Sequence, residues 1–175
     1  MTESPPEPAD LVEDMLGIAP GSRLAVLRRR RPEALRHSQG AYEELLRPAD
    51  PGGVSHAERA ALALRVALRE GEAALADRYR TLLERAGAPA AVGRAAEDLA
   101  GSGAAAAGER LAALLRHADL VATRPGDCGQ ADIDRLLALG LSPRDIVAVT
   151  QLVAFVPYQV RLLAGLRAMQ GEDGA

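Results

Sequence analysis

The sequence predicts an all-α fold, and three observations lead to that prediction: small aliphatic residues, repeated helix caps and apolar residues at helical spacing. Hydrophobic residues make up 48% of the chain but aromatic residues only 2%, so Ala, Leu and Val must fill the core. Closely packed helices accommodate such small side chains best. At 175 residues the chain suits one compact domain, or two small halves that share a core.

Three helices are expected at the N-terminus. Asp10 and Ser22 carry side chains that cap helix N-termini, and each precedes a short apolar pattern. Pro32 suits the first turn of a third helix, which is expected to reach about Leu46. The Pro and Gly residues that follow supply turn chemistry.

The next two helices begin at a capping box. Ser55-His56-Ala57-Glu58 has the spacing of that motif. The helix that it opens is expected to point Ala60 inward and Arg65 outward, because apolar residues recur there at helical spacing. Gly71 is expected to interrupt this helix, so that a second one covers 72–86.

Three further helices are expected after the Gly-Ser-Gly linker at 101–103. Two of them cover about 104–122 and 131–139, and Ser142 caps the third, the most apolar segment of the chain. Pro157 is expected to kink or split this last helix, because proline lacks the N–H of the helical hydrogen bond.

A short pattern occurs twice: glycine, an apolar residue, serine, and an acid three residues after the serine. It covers 53–58 and 140–145, and it suggests a duplicated helical hairpin. We therefore expect an N-terminal helical extension over 1–50 and a main helical domain over 51–175. The two halves of the main domain are expected at about 51–100 and 104–170.

Charge and composition limit the expected partners and compartment. The net charge is only −3, and all 21 basic residues are Arg, which is typical of a GC-rich bacterial genome rather than of a nucleic-acid interface. The acidic, Pro-rich segment 1–10 lacks the features of a secretory signal, and no segment is expected to span a membrane. We expect a cytoplasmic protein without nucleic-acid or membrane partners.

Two stretches resemble the alkylhydroperoxidase-D (AhpD) and carboxymuconolactone-decarboxylase (CMD) family, in particular its peroxidase-related branch. Within 50–86, VSHAERAALALRVALREGEAALADRY is similar to the family's Leu-Ser-x-x-Glu-Arg opening helix and its redox helix. Within 105–168, ADIDRLLALGLSPRDIVAVTQLVAFVPYQVRLLAGL is similar to the closing helices of that branch. The resemblance implies an AhpD-like multi-helix bundle with two related halves.

The family's chemistry resides on a Cys-x-x-Cys-x-x-x-His helix, with a glutamate twelve residues before the first cysteine. Alignment on the Ser-x-x-Glu-Arg motif places the glutamate position at Ala60, the cysteine positions at Glu72 and Leu75, and the histidine position at Tyr79. None of the four residues is kept. The resemblance therefore indicates which segment corresponds to the redox helix, but this segment lacks the residues that perform the family's chemistry.

Dithiol peroxide reduction needs a thiolate that attacks the peroxide and a second thiol that closes a disulfide. Cys128 is the only cysteine, so one chain cannot supply both, and no catalytic residue is assigned. Two enzymatic alternatives stay open. One is a peroxidase-related oxidoreductase using Cys128, which precedes a helix. The other is a decarboxylase-like enzyme using Tyr79, Tyr158 and Arg161, although a phenol with a pKa of about 10 is a poor base at neutral pH.

Polar residues interrupt the apolar C-terminal segment, and buried polar groups need partners. They either satisfy one another or a neighbouring subunit, or they form a small ligand pocket with Arg161 as the anion clamp. Glu72 and Glu58 could equally be structural counter-charges of Arg161. The predicted pocket residues are Glu72, Tyr79, Gln151, Tyr158 and Arg161.

Neither a metal site nor a cofactor is expected. His37, His56 and His117 lie on three separate elements without ligand spacing, so we expect solvated helix histidines. The sequence also lacks a glycine-rich phosphate loop.

The resemblance implies a homo-oligomer, since members of the family associate as dimers, trimers or hexamers. The expected function is binding of a small polar or anionic molecule, or non-catalytic pairing with an intact relative.

Overall fold

The computed structural model describes residues 10–101 and 107–172. Within these ranges the chain forms nine α-helices and no strand, which confirms the predicted all-α class. A 3-10 turn at Pro125–Asp127 precedes the eighth helix. The helices are α1 (Leu11–Leu16), α2 (Arg23–Arg29), α3 (Pro32–Leu46), α4 (His56–Arg69), α5 (Ala73–Arg85), α6 (Ala90–Glu97), α7 (Glu109–Thr123), α8 (Gln130–Ala138) and α9 (Pro143–Glu172).

Both copies of the repeated glycine–serine–acid pattern form capping boxes. The Ser55 hydroxyl accepts from the Glu58 amide, and the Glu58 carboxylate accepts from the Ser55 amide. Ser142 and Asp145 make the equivalent pair of bonds at the start of α9. The local prediction is confirmed at both sites, because a capping box involves only residues three apart. The duplication of two complete halves stays a prediction.

Proline does not split the last helix. α9 continues for 30 residues through Pro157, contrary to the expectation of a break. One missing backbone donor costs a single hydrogen bond, and the neighbouring Val153 and Val156 are fully buried in the continuous helix.

The same helix is also longer and more apolar than expected. The segment Pro143–Gln170 has a window of mean hydropathy 1.6, and among the described helices it alone has the length and composition to cross a membrane. Only 39% of that window is buried. The expectation that no segment spans a membrane is not tested by length and composition alone, and it stays a prediction.

The described residues group into two compact units, one formed by 10–41 with 162–172 and the other by 42–101 with 107–161. In the first unit, the Arg28 guanidinium lies 3.0 Å from the Asp10 carboxylate and 3.1 Å from that of Glu13. These ion pairs fasten α2 to α1. The predicted division into 1–50 and 51–175 stays a prediction.

The second unit is built around α4, which packs against α5, α6 and α7. Every residue from 59 to 67 in this helix is buried, including Ala60, Ala61, Ala63 and Ala67. Small side chains let the neighbouring helices approach closely, since interaxial distance follows side-chain size. Arg65 is buried as well, so its predicted outward position is wrong.

Candidate functional site

The four positions aligned with the family's catalytic residues lie on α4 and in the first half of α5, including its N-cap. Ala60 on α4 and Leu75 and Tyr79 on α5 are buried. Glu72 is the N-cap residue of α5 and is partly exposed. Three of the four positions therefore belong to the hydrophobic core.

Tyr79 is fully buried, and its hydroxyl makes a hydrogen bond. Its side chain has 0% exposure, and its hydroxyl donates to the Oε1 of Gln159 on α9 at 2.5 Å. Gln159 is itself buried. Burial raises the pKa of the Tyr79 phenol well above its usual value, and nearby Tyr42 adds to the effect. Burial therefore favours the neutral phenol, and the decarboxylase-like alternative stays a prediction.

The five residues of the predicted pocket are divided between the core and the surface. In contrast to Tyr79, Gln151 is exposed, Tyr158 is 45% exposed and the Arg161 side chain is 70% exposed. The Arg161 guanidinium lies 3.9 Å from the carboxylate of Glu70, a partner that the sequence did not suggest. A pocket shared by all five stays a prediction that would require Tyr79 to leave the core.

An exposed strip runs along α9 at heptad spacing. We call it the α9 strip and define it by Val147, Gln151, Ala154, Tyr158 and Arg161, all of which are exposed. Successive members are four or three residues apart, so they share one face of the helix. The ring of Phe155 stacks on that of Tyr158 with centroids 5.7 Å apart, which fixes the position of the strip's aromatic residue.

Cys128 lies away from the α4–α5 contact. It follows the 3-10 turn, where its amide donates to the Pro125 carbonyl at 3.3 Å, and Gly129 separates it from α8. The thiol is free and half-buried. The only cysteine therefore lies outside the region that resembles the redox helix.

The arginine of the Ser-x-x-Glu-Arg motif has a structural role. Arg59 is buried, and its guanidinium donates to the carbonyls of Leu45, Pro51 and Val54 at 2.8–3.0 Å. Burial lowers the pKa of Arg59, with Arg144 contributing and Asp145 opposing the shift. The side chain closes the loop between α3 and α4 by satisfying three backbone acceptors.

A second buried arginine ties α4 to α7. Arg65 makes bidentate bonds to Asp119 at 2.7 and 2.6 Å, and its remaining donor reaches the carbonyls of Ala95 and Asp98. Arg69 binds the same carboxylate. Although burial opposes the shift, these hydrogen bonds lower the pKa of Asp119 and keep it ionised.

His117 on α7 is the site residue that the sequence did not reveal. It is 4% exposed, so the expectation of a solvated histidine is wrong. Its Nε2 lies 3.3 Å from the Thr150 hydroxyl, and its Nδ1 is buried without a hydrogen-bond partner in the part of the chain that the structure describes. Burial lowers the pKa of His117 against an opposing effect of Asp132. Its position among the apolar residues of α7 was the only sequence signal of burial.

His117 lines an open pocket of about 670 Å³ between α7 and the start of α8. Four arginines and three aspartates share the lining with a few apolar residues, so the pocket is polar and suits a small charged molecule. Within 10–101 and 107–172, no group of three His, Cys, Asp or Glu side chains is arranged to hold a metal ion. The charged lining residues are Arg69, Arg116, Arg124, Arg135, Asp119, Asp127 and Asp132.

Comparison with known proteins supports the fold. No family model and no curated protein matches the chain. A solved structure that does match is that of an uncharacterized peroxidase-related protein from Silicibacter sp. TM1040, with a TM-score of 0.66 and 18% identity over 89% of this chain and 78% of that one. At this identity the likeness concerns the fold alone: the chain has an all-α fold similar to that of a peroxidase-related protein.

Proposed function

We propose that this chain is a non-redox relative of the AhpD and CMD proteins, in which binding and assembly replace dithiol chemistry. One observation carries the proposal: the positions aligned with the redox helix are filled by Leu75 and by Tyr79, which is buried and bonded to Gln159. A dithiol mechanism requires an accessible thiolate and a resolving thiol. Here an apolar side chain and a sealed phenol occupy those places.

Peroxide turnover tests the loss of redox chemistry. Purified protein is incubated with cumene hydroperoxide and dithiothreitol, beside the matched variant Cys128→Ser. We expect the two proteins to consume peroxide at the same background rate. Turnover by the parent that disappears in Cys128→Ser would instead establish a single-cysteine peroxidase and overturn the proposal.

A double substitution tests the alignment itself. Glu72 is the N-cap of α5 and Leu75 lies three residues later, which is the spacing of a Cys-x-x-Cys motif on a helix start. We expect Glu72→Cys/Leu75→Cys, made in a Cys128→Ser background, to form an intrachain disulfide on mild oxidation. Mass spectrometry under non-reducing conditions measures it. Failure of a folded variant to close this bond would show that the first turn of α5 does not correspond to the redox motif.

We further propose that the protein assembles as a homo-oligomer through the α9 strip. In an antiparallel pair of α9 helices with its centre between Gln151 and Ala154, Val147 of each copy faces Tyr158 of the other. Small Ala154 permits close approach of the helices at the centre. The strip is therefore complementary to itself, as a two-fold interface requires.

Charges at the ends of the strip fit the same arrangement. The antiparallel register brings Arg161 towards Arg144 of the second copy, and each of these arginines already has a carboxylate neighbour. Asp50 lies 3.3 Å from Arg144, and Glu70 lies 3.9 Å from Arg161. These carboxylates offset the repulsion between like charges and can be shared across the interface.

The strip suits a second copy better than a lipid bilayer. Gln151 and Arg161 lie among its apolar members, and both would lose hydration without a partner in hydrocarbon. In a protein interface the same groups can exchange hydrogen bonds with their symmetry mates. We accordingly keep a cytoplasmic location in the proposal, together with pairing to an intact relative through the same surface.

Light scattering with size-exclusion chromatography measures the assembly. The parent is expected to elute as a dimer or larger species, and Ala154→Glu as a monomer, because a carboxylate from each copy would be buried near the centre of the interface, opposite Gln151 of the other copy. Ala74→Glu, on an exposed position of α5, is the control and should behave as the parent. A monomeric parent, or sedimentation of the parent with anionic phospholipid vesicles, would refute the α9 interface.

A further inference from the structure

Two polar groups beside the pocket at His117 have no partner within 10–101 and 107–172. The Nδ1 of His117 is buried and has no hydrogen bond there. Arg116, the preceding residue of α7, lines the same pocket, is exposed to solvent and makes no ion pair with these residues. A buried polar atom without a partner costs free energy, so a ligand that satisfies it gains affinity.

The hydrogen bonds of Thr150 determine which ring nitrogen of His117 carries the proton. The Thr150 hydroxyl donates its single proton to the Ile146 carbonyl at 2.8 Å. Its oxygen can therefore only accept from His117, so Nε2 is the protonated nitrogen at that 3.3 Å contact. Nδ1 is consequently an acceptor, and the ligand must supply an O–H or N–H donor.

The other charges of the pocket are already engaged. Asp119 binds Arg65 and Arg69, Asp127 lies 3.4 Å from Arg124, and Asp132 lies 3.2 Å from Arg135. No carboxylate is left over for a cationic ligand. The guanidinium of Arg116 is the remaining group, and it matches a carboxylate in charge and shape.

We propose that this pocket is a binding site for a small hydroxycarboxylate, with the carboxylate on Arg116 and the hydroxyl donating to Nδ1 of His117. Thr150 is a positioning residue, because it holds the imidazole in the tautomer that accepts. The inference goes beyond the loss of dithiol chemistry and does not depend on it, since none of these residues belongs to the α4–α5 contact. Nor does it use the α9 strip.

Three probe molecules of similar size separate the two contacts. Lactate has both the carboxylate and the hydroxyl, propionate lacks the hydroxyl, and lactamide lacks the negative charge. NMR titration of the full chain should give lactate an affinity at least about tenfold higher than either analogue, as expected for one hydrogen bond to a buried acceptor or one charged contact. Equal affinities for the three probes would overturn the proposal.

Variants assign each contact to its residue. The Arg116→Gln variant should bind lactate no more tightly than lactamide. Arg94 is exposed and lies outside this pocket, so the Arg94→Gln control should bind both molecules as the parent does. In His117→Phe, lactate should lose its advantage over propionate. A parent-like preference in either pocket variant would refute the corresponding contact.

Imidazole nitrogen resonances test the geometry without any change in the core. In the parent, Nε2 should be protonated and Nδ1 unprotonated, and lactate but not propionate should shift the Nδ1 resonance. Thr150→Val, which keeps the shape of the side chain, should weaken this tautomer preference. A proton on Nδ1 in the parent, or an Nδ1 resonance that lactate leaves unmoved, would show that this nitrogen is not the acceptor.

Discussion

The bond between Tyr79 and Gln159 connects α5 to α9 through the core, and Tyr79→Phe removes it with minimal change in shape. The Gln159 oxygen would then be buried without its donor. A buried hydrogen bond contributes about 0.5–1.5 kcal/mol net, and a buried group left unsatisfied costs about 1–3 kcal/mol. We expect the free energy of unfolding to fall by about 2 kcal/mol. For a chain of this length, that lowers Tm by about 4–8 °C.

A double-mutant cycle separates this bond from the packing around it. Gln159→Leu alone should also destabilise the protein, because the Tyr79 hydroxyl would then be buried without an acceptor for its hydrogen bond. Tyr79→Phe/Gln159→Leu should cost less than the sum of the single variants by about 1 kcal/mol or more, since neither polar group remains. Urea unfolding followed by circular dichroism measures all four proteins.

Tyr158→Phe is the matched control, because this phenol lies at the surface and its ring keeps the contact with Phe155. Its effect should stay within about 0.5 kcal/mol, as for most surface substitutions. The reasoning would be refuted if Tyr79→Phe were equally neutral, or if the two core substitutions were simply additive. Either result would mean that the Tyr79 hydroxyl reaches water and that the redox-helix position is open.

Three further predictions concern the supports of the site. Gly53→Ala should lower the free energy of unfolding by about 1–3 kcal/mol, because a Cβ at this position would lie 2.5 Å from the Asp145 carboxylate. The same carboxylate accepts a hydrogen bond from the Gly53 amide. Thermal unfolding measures the change. Asp119→Asn should cost about 3 kcal/mol in urea unfolding, because Arg65 would keep its charge in the core without a counter-ion, and a neutral effect would contradict this. Burial holds the pKa of His117 below its ordinary value of 6.5, so the unfolded chain binds more protons, and stability should decline as pH falls below that value. A His117→Phe variant should lack this component of the pH dependence.

Local interactions were predictable from the sequence alone. The capping boxes at Ser55 and Ser142 join residues three apart, and Gly71 separates α4 from α5 as its backbone freedom suggests. Such features depend on neighbours along the chain and scarcely on the rest of the molecule. The count of one cysteine is equally independent of conformation, and it excludes an intrachain disulfide in any fold.

Sequence periodicity was less reliable where tertiary packing competes with local preference. Pro157 predicts a break in the helix, yet α9 continues through it. The nearby Val153 and Val156 are both buried in the continuous helix. Arg65 and His117 carry signals for solvent exposure, yet both are buried. Their polar atoms find Asp119 and Thr150 on other helices, which compensates much of the cost of desolvation.

The amino-acid sequence by itself determined the capped starts of α1, α2, α4 and α9, and that this chain has too few thiols for an internal disulfide. Only the tertiary structure decided that Tyr79 meets Gln159, 80 residues away, and that Arg65 meets Asp119, 54 residues away. The physical reason is that helical periodicity specifies which face of a helix is apolar, whereas a buried polar group is satisfied by whichever neighbour the packing brings within 3 Å or so.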